Sequence, residues 1–460
     1  MLKSLRYLVI FSLLLPLTSF AQSQAVFETT LKNGLKVFVK EDHRAPVVVS
    51  QIWYKVGGSY EPNGITGISH LLEHMMFQGT KRNPKGALTR TVARNGGREN
   101  AFTASDFTAY YQVLPADKLP ISFKLEADRM RNLSLNQAAL RKELQVVMEE
   151  RRMRTDDNPL HKTYEQFEAT AFQSSPYHNP VVGWMHDLQN MKVRDVRRWY
   201  RQNYAPNNAI VVVVGDVKPK KVFALAKQYF GHIKKSNVRH TKSHREVKQT
   251  GERQIIVKAP AKLPAIIMGY HVPSLNTTKQ ASDVYALEVL AEILSGGRSA
   301  RLPKELERKQ QIASDVDVSF NLASRLSGLF VINGLPMQGH TVQELKTAIL
   351  MQIKTLQTEL VSKNELARVK VGTIADHTYK RDSIRRQAYE IGSLEAVGLP
   401  AHYAKDYVMN IEKVTPEQVR TVARKYLTRD NMTVAILEPQ PMDGKKLRGT
   451  PMNLGDSHVR

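Results

Sequence analysis

The chain has 460 residues, no cysteine, and 67 basic residues against 43 acidic ones, for a formal net charge of +24. The missing thiols exclude disulfides, thiolate catalysis and lipidation at a lipobox cysteine, and they agree with an oxidising compartment without demonstrating one. After the first segment, the length suits two domains of about 200 residues, each able to bury its own core.

Residues 1–21 read as a signal peptide. Lys3 and Arg6 give a basic start, Tyr7 to Leu17 a short apolar core, and Ser19-Phe20-Ala21 a small-x-small cleavage site. The apolar run is too short to span a bilayer, with an uncleaved anchor as the alternative. Its lack of charge argues against an Arg-rich transit peptide. No later segment is long and apolar enough to cross a membrane. The expectation is export to a bacterial periplasm, with no integral membrane segment after signal cleavage.

Asn33-Gly34 joins Phe27–Leu31 to Leu35–Val39 as a predicted hairpin. Next comes His70-Leu-Leu-Glu-His74, the inverted zinc pattern H-x-x-E-H. Ile68, Leu71, Leu72, Met75 and Met76 recur at helical spacing, so one stripe is buried. His70, Glu73, His74 and Phe77 project from the other side, with Gly79 as the C-cap. Imidazoles at i and i+4 lie close enough to hold one ion. Glu73 is placed to take a proton from a metal-activated water. After the Gly96-Gly97 turn, Glu99–Val113 reads as an edge strand that an extended peptide can join by backbone pairing, with an ordinary core hairpin as the plain alternative. Phe102, Phe107, Tyr110 and Tyr111 read as packing residues.

A second helix is predicted from a capping box, Ser134-x-x-Gln137, with the stripe Leu140, Leu144, Val147 and Met148 and a stop at Asp157-Asn158-Pro159. Glu143 and Glu150 lie two turns apart on one side of it. Glu150 is placed so that it could complete a His-His-Glu set, with Glu143 behind it. Periodicity alone separates Glu150 from Glu149 only weakly. Two glutamates on a helix, taken alone, are a solvated face.

The chain then repeats itself with a period of about 220 residues. Pro46–Trp53 is echoed by Pro264–Tyr270, and each is followed by a helix ending in glycine, the second being Ala286–Gly296. Val193–Tyr200 resembles Pro416–Ala423. A tyrosine follows each, Tyr204 or Tyr426, and then a strand, Asn208–Val214 or Asn431–Leu437. Leu287 and Ala291 are read as standing where His70 and His74 stand, so the second half is not expected to bind zinc in the same way. The basic stretch Lys234–Arg253, with His240 and His244, carries no nucleic-acid motif and no aromatic interleaving, and reads as a solvated linker and surface. The expected divisions are 1–21 signal peptide, 22–240 catalytic domain, 241–440 related domain without metal ligands, and 441–460 loose tail.

Beyond the motif, Gly67–Thr80, Asn100-Ala-Phe-Thr103 with Thr108-Ala-Tyr-Tyr111, and Val146-Val-Met-Glu-Glu150 resemble the pitrilysin family of zinc metallopeptidases, whose relatives include insulin-degrading enzyme and the mitochondrial processing peptidase. A weaker similarity runs from Phe27 to Pro439. The resemblance implies an α+β fold of two homologous domains, each a mostly antiparallel sheet with helices packed on one face. It implies one Zn2+ per chain held by His70, His74 and Glu150. Glu73 is then the general base, Glu143 a support, and Asn100 and Ala101 contacts to the substrate backbone. The expected activity is hydrolysis of peptides or unfolded segments.

Pitrilysin relatives pair the zinc-bearing half with a second half carrying an Arg and a Tyr that polarise the substrate carbonyl. Here Gly328–His340 contains neither, Arg325 precedes it, and Arg381, Arg385 and Tyr389 lie in a helical stretch. The expected partner is a second, similar-sized subunit lacking H-x-x-E-H. A homodimer is the alternative, and the absent pair argues against it. The competing readings are a non-catalytic partner subunit, which the complete motif argues against, and a zinc hydrolase of a non-peptide substrate, which the edge strand argues against.

Overall fold

The structure, a computed structural model, describes residues 25–238, 242 and 244–442. The signal segment, His240 and most of the expected tail therefore lie outside the described residues. Two sheets organise the chain. The first contains β1 (Val26–Thr30), β2 (Lys36–Glu41), β3 (Val47–Tyr54), β4 (Arg98–Thr103), β5 (Thr108–Pro115) and β6 (Ala209–Gly215), in the order β1-β2-β6-β3-β5-β4. The second contains β7 (Arg253–Pro260), β8 (Ala265–Val272), β9 (Ala313–Phe320), β10 (Gly328–Pro336) and β11 (Met432–Gln440), in the order β7-β11-β8-β10-β9. Without the hairpin strand β1, the two orders are the same, element for element. Only β2–β6 and β7–β11 run parallel.

The first half adds helices α1 (Ile68–Met76), α2 (Ala87–Arg94), α3 (Leu119–Asn132), α4 (Gln137–Arg151), α5 (Pro159–Ala171), α6 (Met185–Asn190), α7 (Val193–Asn203) and α8 (Pro219–Phe230). The second adds α9 (Ala281–Ser295), α10 (Val342–Thr358), α11 (Lys363–Lys380), α12 (Ile384–Val397), α13 (Tyr403–Glu412) and α14 (Pro416–Tyr426). The fold is α+β with two related halves. Among the described residues, no helix is long and apolar enough to cross a membrane.

The hairpin forms around Gly34, whose φ of 89° is open to glycine. Strands β3 and β6, flanked by neighbours on both sides and buried along almost their whole length, read as near-continuous apolar runs. The expected Ser134 capping box is not what starts α4. Asn136 is the N-cap and accepts from the Ala139 amide at 2.9 Å. The Ser134 amide is instead bonded to the Gly79 carbonyl, and Leu133 bridges Thr80, which holds this segment extended. At the other end the α-helix gives way at Arg152, before the expected stop, to a wide π-type turn spanning Arg152–Asp156; Asn158 then caps α5.

Each sheet carries its own helices on one face, and a helix from the other half covers the opposite face. Helix α12 packs on β3 and β6, and α5 packs on β7 and β11. Both contacts join an aromatic ring to a glycine. A Cβ at Gly392 of α12 would lie 2.1 Å from the Trp53 indole, and one at Gly269 of β8 would lie 2.4 Å from the Phe167 ring of α5. Tyr389 of α12 packs on Trp53 and Phe102, with ring centroids 5.4 and 5.8 Å apart. A second seam gathers on buried Asp106 between β4 and β5. Its carboxylate accepts from Ser59 Oγ at 2.7 Å, Tyr177 Oη at 2.5 Å and the Arg325 amide at 3.0 Å.

The Trp53–Gly392 contact has a testable sign. On an exposed helix face, Gly→Ala stabilises by about 1 kcal/mol through propensity. In this contact the added methyl overlaps the indole, so Gly392→Ala is expected to lower stability by about 1–3 kcal/mol. Urea unfolding reads the difference, and a raised midpoint would contradict the packing of α12 on β3.

Candidate metal centre

Helix α1 is seated by its apolar side. Ile68, Leu71, Leu72, Met75 and Met76 are all buried. Its N-terminus is held by acids that sequence reasoning missed. Buried Glu61 accepts from the Gly67 amide at 2.6 Å and the Ser69 amide at 2.7 Å, which satisfies two helix-end donors. Burial pushes the Glu61 carboxyl up to about 7 against those bonds. Asp187 on α6 accepts from both the amide and the hydroxyl of Thr66. No local pattern marks either residue, because their partners are backbone groups that the fold brings to them.

With α1 fixed, His70 and His74 face Glu150 on α4, and Glu73 reaches Thr103 on β4. His74 Nε2 lies 3.2 Å from Glu150 Oε2, and His70 Nε2 lies 3.8 Å from the same oxygen. One ligand atom from each of the three residues falls within 4.8 Å of the others. Glu149 points away, exposed, and pairs with Arg152 at 3.0 Å. Glu143 Oε2 lies 3.5 Å from His74 Nδ1, on the far side of the ring, while its other oxygen accepts from Gln78 Nε2 at 2.6 Å. A carboxylate there orients the imidazole and leaves Nε2 facing Glu150. His70 Nδ1 is buried and has no such partner among the described residues.

Electrostatics suits a cation between these groups. Burial pushes His70 down to about 4, so its ring is neutral near pH 7. Burial alone would raise the Glu150 carboxyl, but the His74 hydrogen bond and the nearby His70 and Arg154 bring it down to about 2. For His74, burial is outweighed by the hydrogen bond to Glu150 and the surrounding carboxylates, and its pKa rises. Neutral imidazole nitrogen with carboxylate oxygen is a donor set that zinc accepts.

Glu73 is half-buried, its desolvation raises its pKa, and its Oε2 accepts from Thr103 Oγ1 at 2.5 Å. Thr103 ends β4, so this hydroxyl ties Glu73 to the edge of the sheet. Sequence reading did not single it out. Strand β4 pairs with β5 alone, and among the described residues its other edge has no strand neighbour. Asn100 and Ala101 lie on β4, and Asn100 Oδ1 accepts from the Ala101 amide at 2.9 Å.

The second half shows what replaces these groups. Along α9 the alternation of buried and half-buried positions matches α1 only when Glu288 stands for His70 and Glu292 for His74. The expected equivalents, Leu287 and Ala291, are one residue out of step and lie in the core. The ambiguity arises because two glycines end α9. Gly297, with φ 90°, matches Gly79, with φ 85°, and Gly296 does not. On α11, Asp376 stands as far beyond its N-cap Ser362 as Glu150 stands beyond Asn136. Carboxylates thus replace both imidazoles. Burial raises Glu288 to about 7, and the Tyr407 hydroxyl donates to it at 3.1 Å.

Known proteins resemble the chain along nearly its whole length. The family model described as insulinase (peptidase family M16) matches residues 36–183, and that of the M16 inactive domain matches residues 190–372. The zinc protease PqqE of Helicobacter pylori is 33% identical over 424 residues, covering 89% of this chain and 92% of that protein. The crystal structure of a protease from Helicobacter pylori superposes with a TM-score of 0.85 at 31% identity, covering 90% of this chain and 100% of the other. The periplasmic protease PqqL of Escherichia coli shares the fold with a TM-score of 0.75 at 17% identity, with 91% of this chain covering 48% of that one. This chain belongs to the insulinase family of metallopeptidases, peptidase family M16, the pitrilysin-like family that its motifs resemble.

Proposed function

We propose that the protein is a zinc-dependent endopeptidase acting on peptides or unfolded segments, with His70, His74 and Glu150 holding one zinc ion and Glu73 as general base. The observation that carries this reading is the convergence of two imidazole nitrogens and one carboxylate oxygen within 4.8 Å, on the side of α1 that also bears Glu73. Bound there, zinc supplies an acidified water and a Lewis acid for the scissile carbonyl. Thr103 occupies Glu73 Oε2 and leaves Oε1 to accept the water proton. Burial raises the pKa of Glu73, so the carboxyl can hold that proton and return it to the leaving amine. An extended peptide added to the open edge of β4 gains backbone pairing with little sequence preference. To reach the Ala101 amide it must displace the Asn100 side chain.

The partner reading rests on how the candidate donors Arg325, Arg385, Tyr389 and His340 are engaged elsewhere. The Arg325 guanidinium is taken up by Ser59 and Asp106. Arg385 donates to Tyr111 Oη at 3.3 Å, Tyr389 is packed on Trp53, and His340 lies 3.6 Å from Glu344. Two donors aimed at a developing oxyanion lower a barrier by about 3 kcal/mol each, so their absence matters. PqqL, of which this chain covers 48%, is long enough to carry a second such unit in one chain. A separate subunit without H-x-x-E-H would serve the same end here. Export to a bacterial periplasm fits the leader-like residues 1–21 and the periplasmic setting of PqqL. A non-catalytic role is the second reading, and the complete ligand set and base argue against it.

Glu73→Gln is expected to retain zinc while losing peptidase activity about 100-fold or more. His70→Ala and His74→Ala are expected to lose both metal and activity, and Glu149→Gln to be milder than Glu150→Gln. Metal analysis beside a peptide digest checks this; normal cleavage by Glu73→Gln would remove it as the base. A homogeneous preparation of the wild-type chain alone is expected to carry full zinc but cleave weakly until a partner is added. High activity from the chain alone would contradict the need for a partner.

A further inference from the structure

Glu150 presents two oxygens, and only one faces the imidazoles. The other, Oε1, is held by Arg154 Nη1 at 2.6 Å. We propose that Arg154 is a positioning residue that confines Glu150 to a single ligating oxygen, an inference that rests on the metal reading above.

Three observations point the same way. First, Oε2 alone lies toward the rings, at 3.2 Å from His74 and 3.8 Å from His70, while Oε1 is turned toward the guanidinium. A carboxylate with one oxygen tied back ligates through the other and leaves a coordination position open for water.

Second, Arg154 sits in the wide turn Arg152–Asp156, closed by the Asp157 amide on the Arg152 carbonyl at 2.8 Å. π-type turns inside helical segments occur frequently at functional sites. The second half has no such turn at the equivalent place. Helix α11 runs unbroken past Asp376 to Lys380. At this place in the repeat the turn is found only beside the histidines, although the second half has a π-type segment elsewhere, at Pro303–Lys309.

Third, the backbone of Arg154 is anchored. Its carbonyl lies 2.7 Å from His161 Nδ1 on α5. The neighbouring Arg151 is fixed by Glu165 at 2.7 Å, and Arg152 pairs with Glu149 at 3.0 Å. The ion pairs at this helix end thus sort three arginines onto different acids, Arg151 onto Glu165 and Asp156, and of the three only Arg154 reaches Glu150.

Charge alone argues against placing a guanidinium there. A cation beside a ligand repels the metal, so a purely electrostatic account has its removal tighten zinc binding. A positioning account has the opposite sign, because loss of a group that orients a ligand costs about 10–100-fold in affinity or activity. The sign of one measurement separates them.

The test compares wild type, Arg154→Gln and Arg154→Lys, each checked for unchanged far-ultraviolet circular dichroism. Zinc affinity is read by chelator competition. Cobalt(II) replaces zinc for visible absorption, and kcat and KM are measured separately. Arg154→Gln is expected to bind zinc about 10-fold more weakly or worse. Its cobalt absorption falls in intensity as a second Glu150 oxygen joins the metal, and kcat drops with KM little changed. Arg154→Lys, which keeps the charge and one donor, recovers part of each loss. Zinc binding by Arg154→Gln as tight as wild type or tighter, with an unaltered cobalt spectrum, overturns the role. Failure of the wild type itself to take up zinc or cobalt overturns the metal reading, and this inference with it.

Discussion

The approach of His74 on α1 to Glu150 on α4 depends on α1 being unable to move. The helix is short, and its own hydrogen bonds would not hold it in water. Its apolar side is buried without remainder, and its first turn is tied down by the Glu61 carboxylate from a loop and by Asp187 through Thr66. Those anchors set the direction of the two imidazoles. The α4 side is set equally firmly by Asn136 at one end and the arginine-rich turn at the other. The site is therefore a consequence of helix packing. The polar cluster can be assembled at modest cost because apolar burial on the opposite face supplies the stability.

The two halves share a strand order once β1 is set aside, yet differ where chemistry would occur. Helix α1 presents two imidazoles and α9 presents two carboxylates at the corresponding positions. The second half contributes in another way. Its α12 covers the sheet that carries the edge strand β4, and α5 of the first half covers the second sheet in return. This exchange makes each sheet's second face depend on the other half. Arg325 on Asp106 reinforces the same seam from the second half, next to the β4–β5 turn.

Much of the site could be read in advance because its signals are local. The stripe Ile68, Leu71, Leu72, Met75 and Met76 has helical spacing, and the imidazoles follow from it by geometry. Asn33-Gly34 marks its hairpin for the same reason. Features governed by distant partners were not legible. Ser134 has the look of a cap, yet the Gly79 carbonyl takes its amide, so Asn136 does the capping. Glu61, Asp187 and Thr103 owe their roles to backbone and side-chain partners that only the fold supplies. The α9 register slipped by one residue because adjacent glycines offer two ends to the helix, and only the burial pattern distinguishes them. The packing of α5 and α12 across the halves was not legible either, because the periodicity of a helix shows that it has an apolar side and not which sheet that side meets.

The central claim is that His70, His74 and Glu150 form one metal site. X-ray absorption at the zinc edge of the purified, zinc-loaded chain tests it most directly. The account predicts one zinc per chain with two imidazole nitrogens and oxygen ligands at about 2.0–2.2 Å and no sulfur. A chain that takes up no zinc, or one whose zinc shows fewer than two imidazoles, would contradict it.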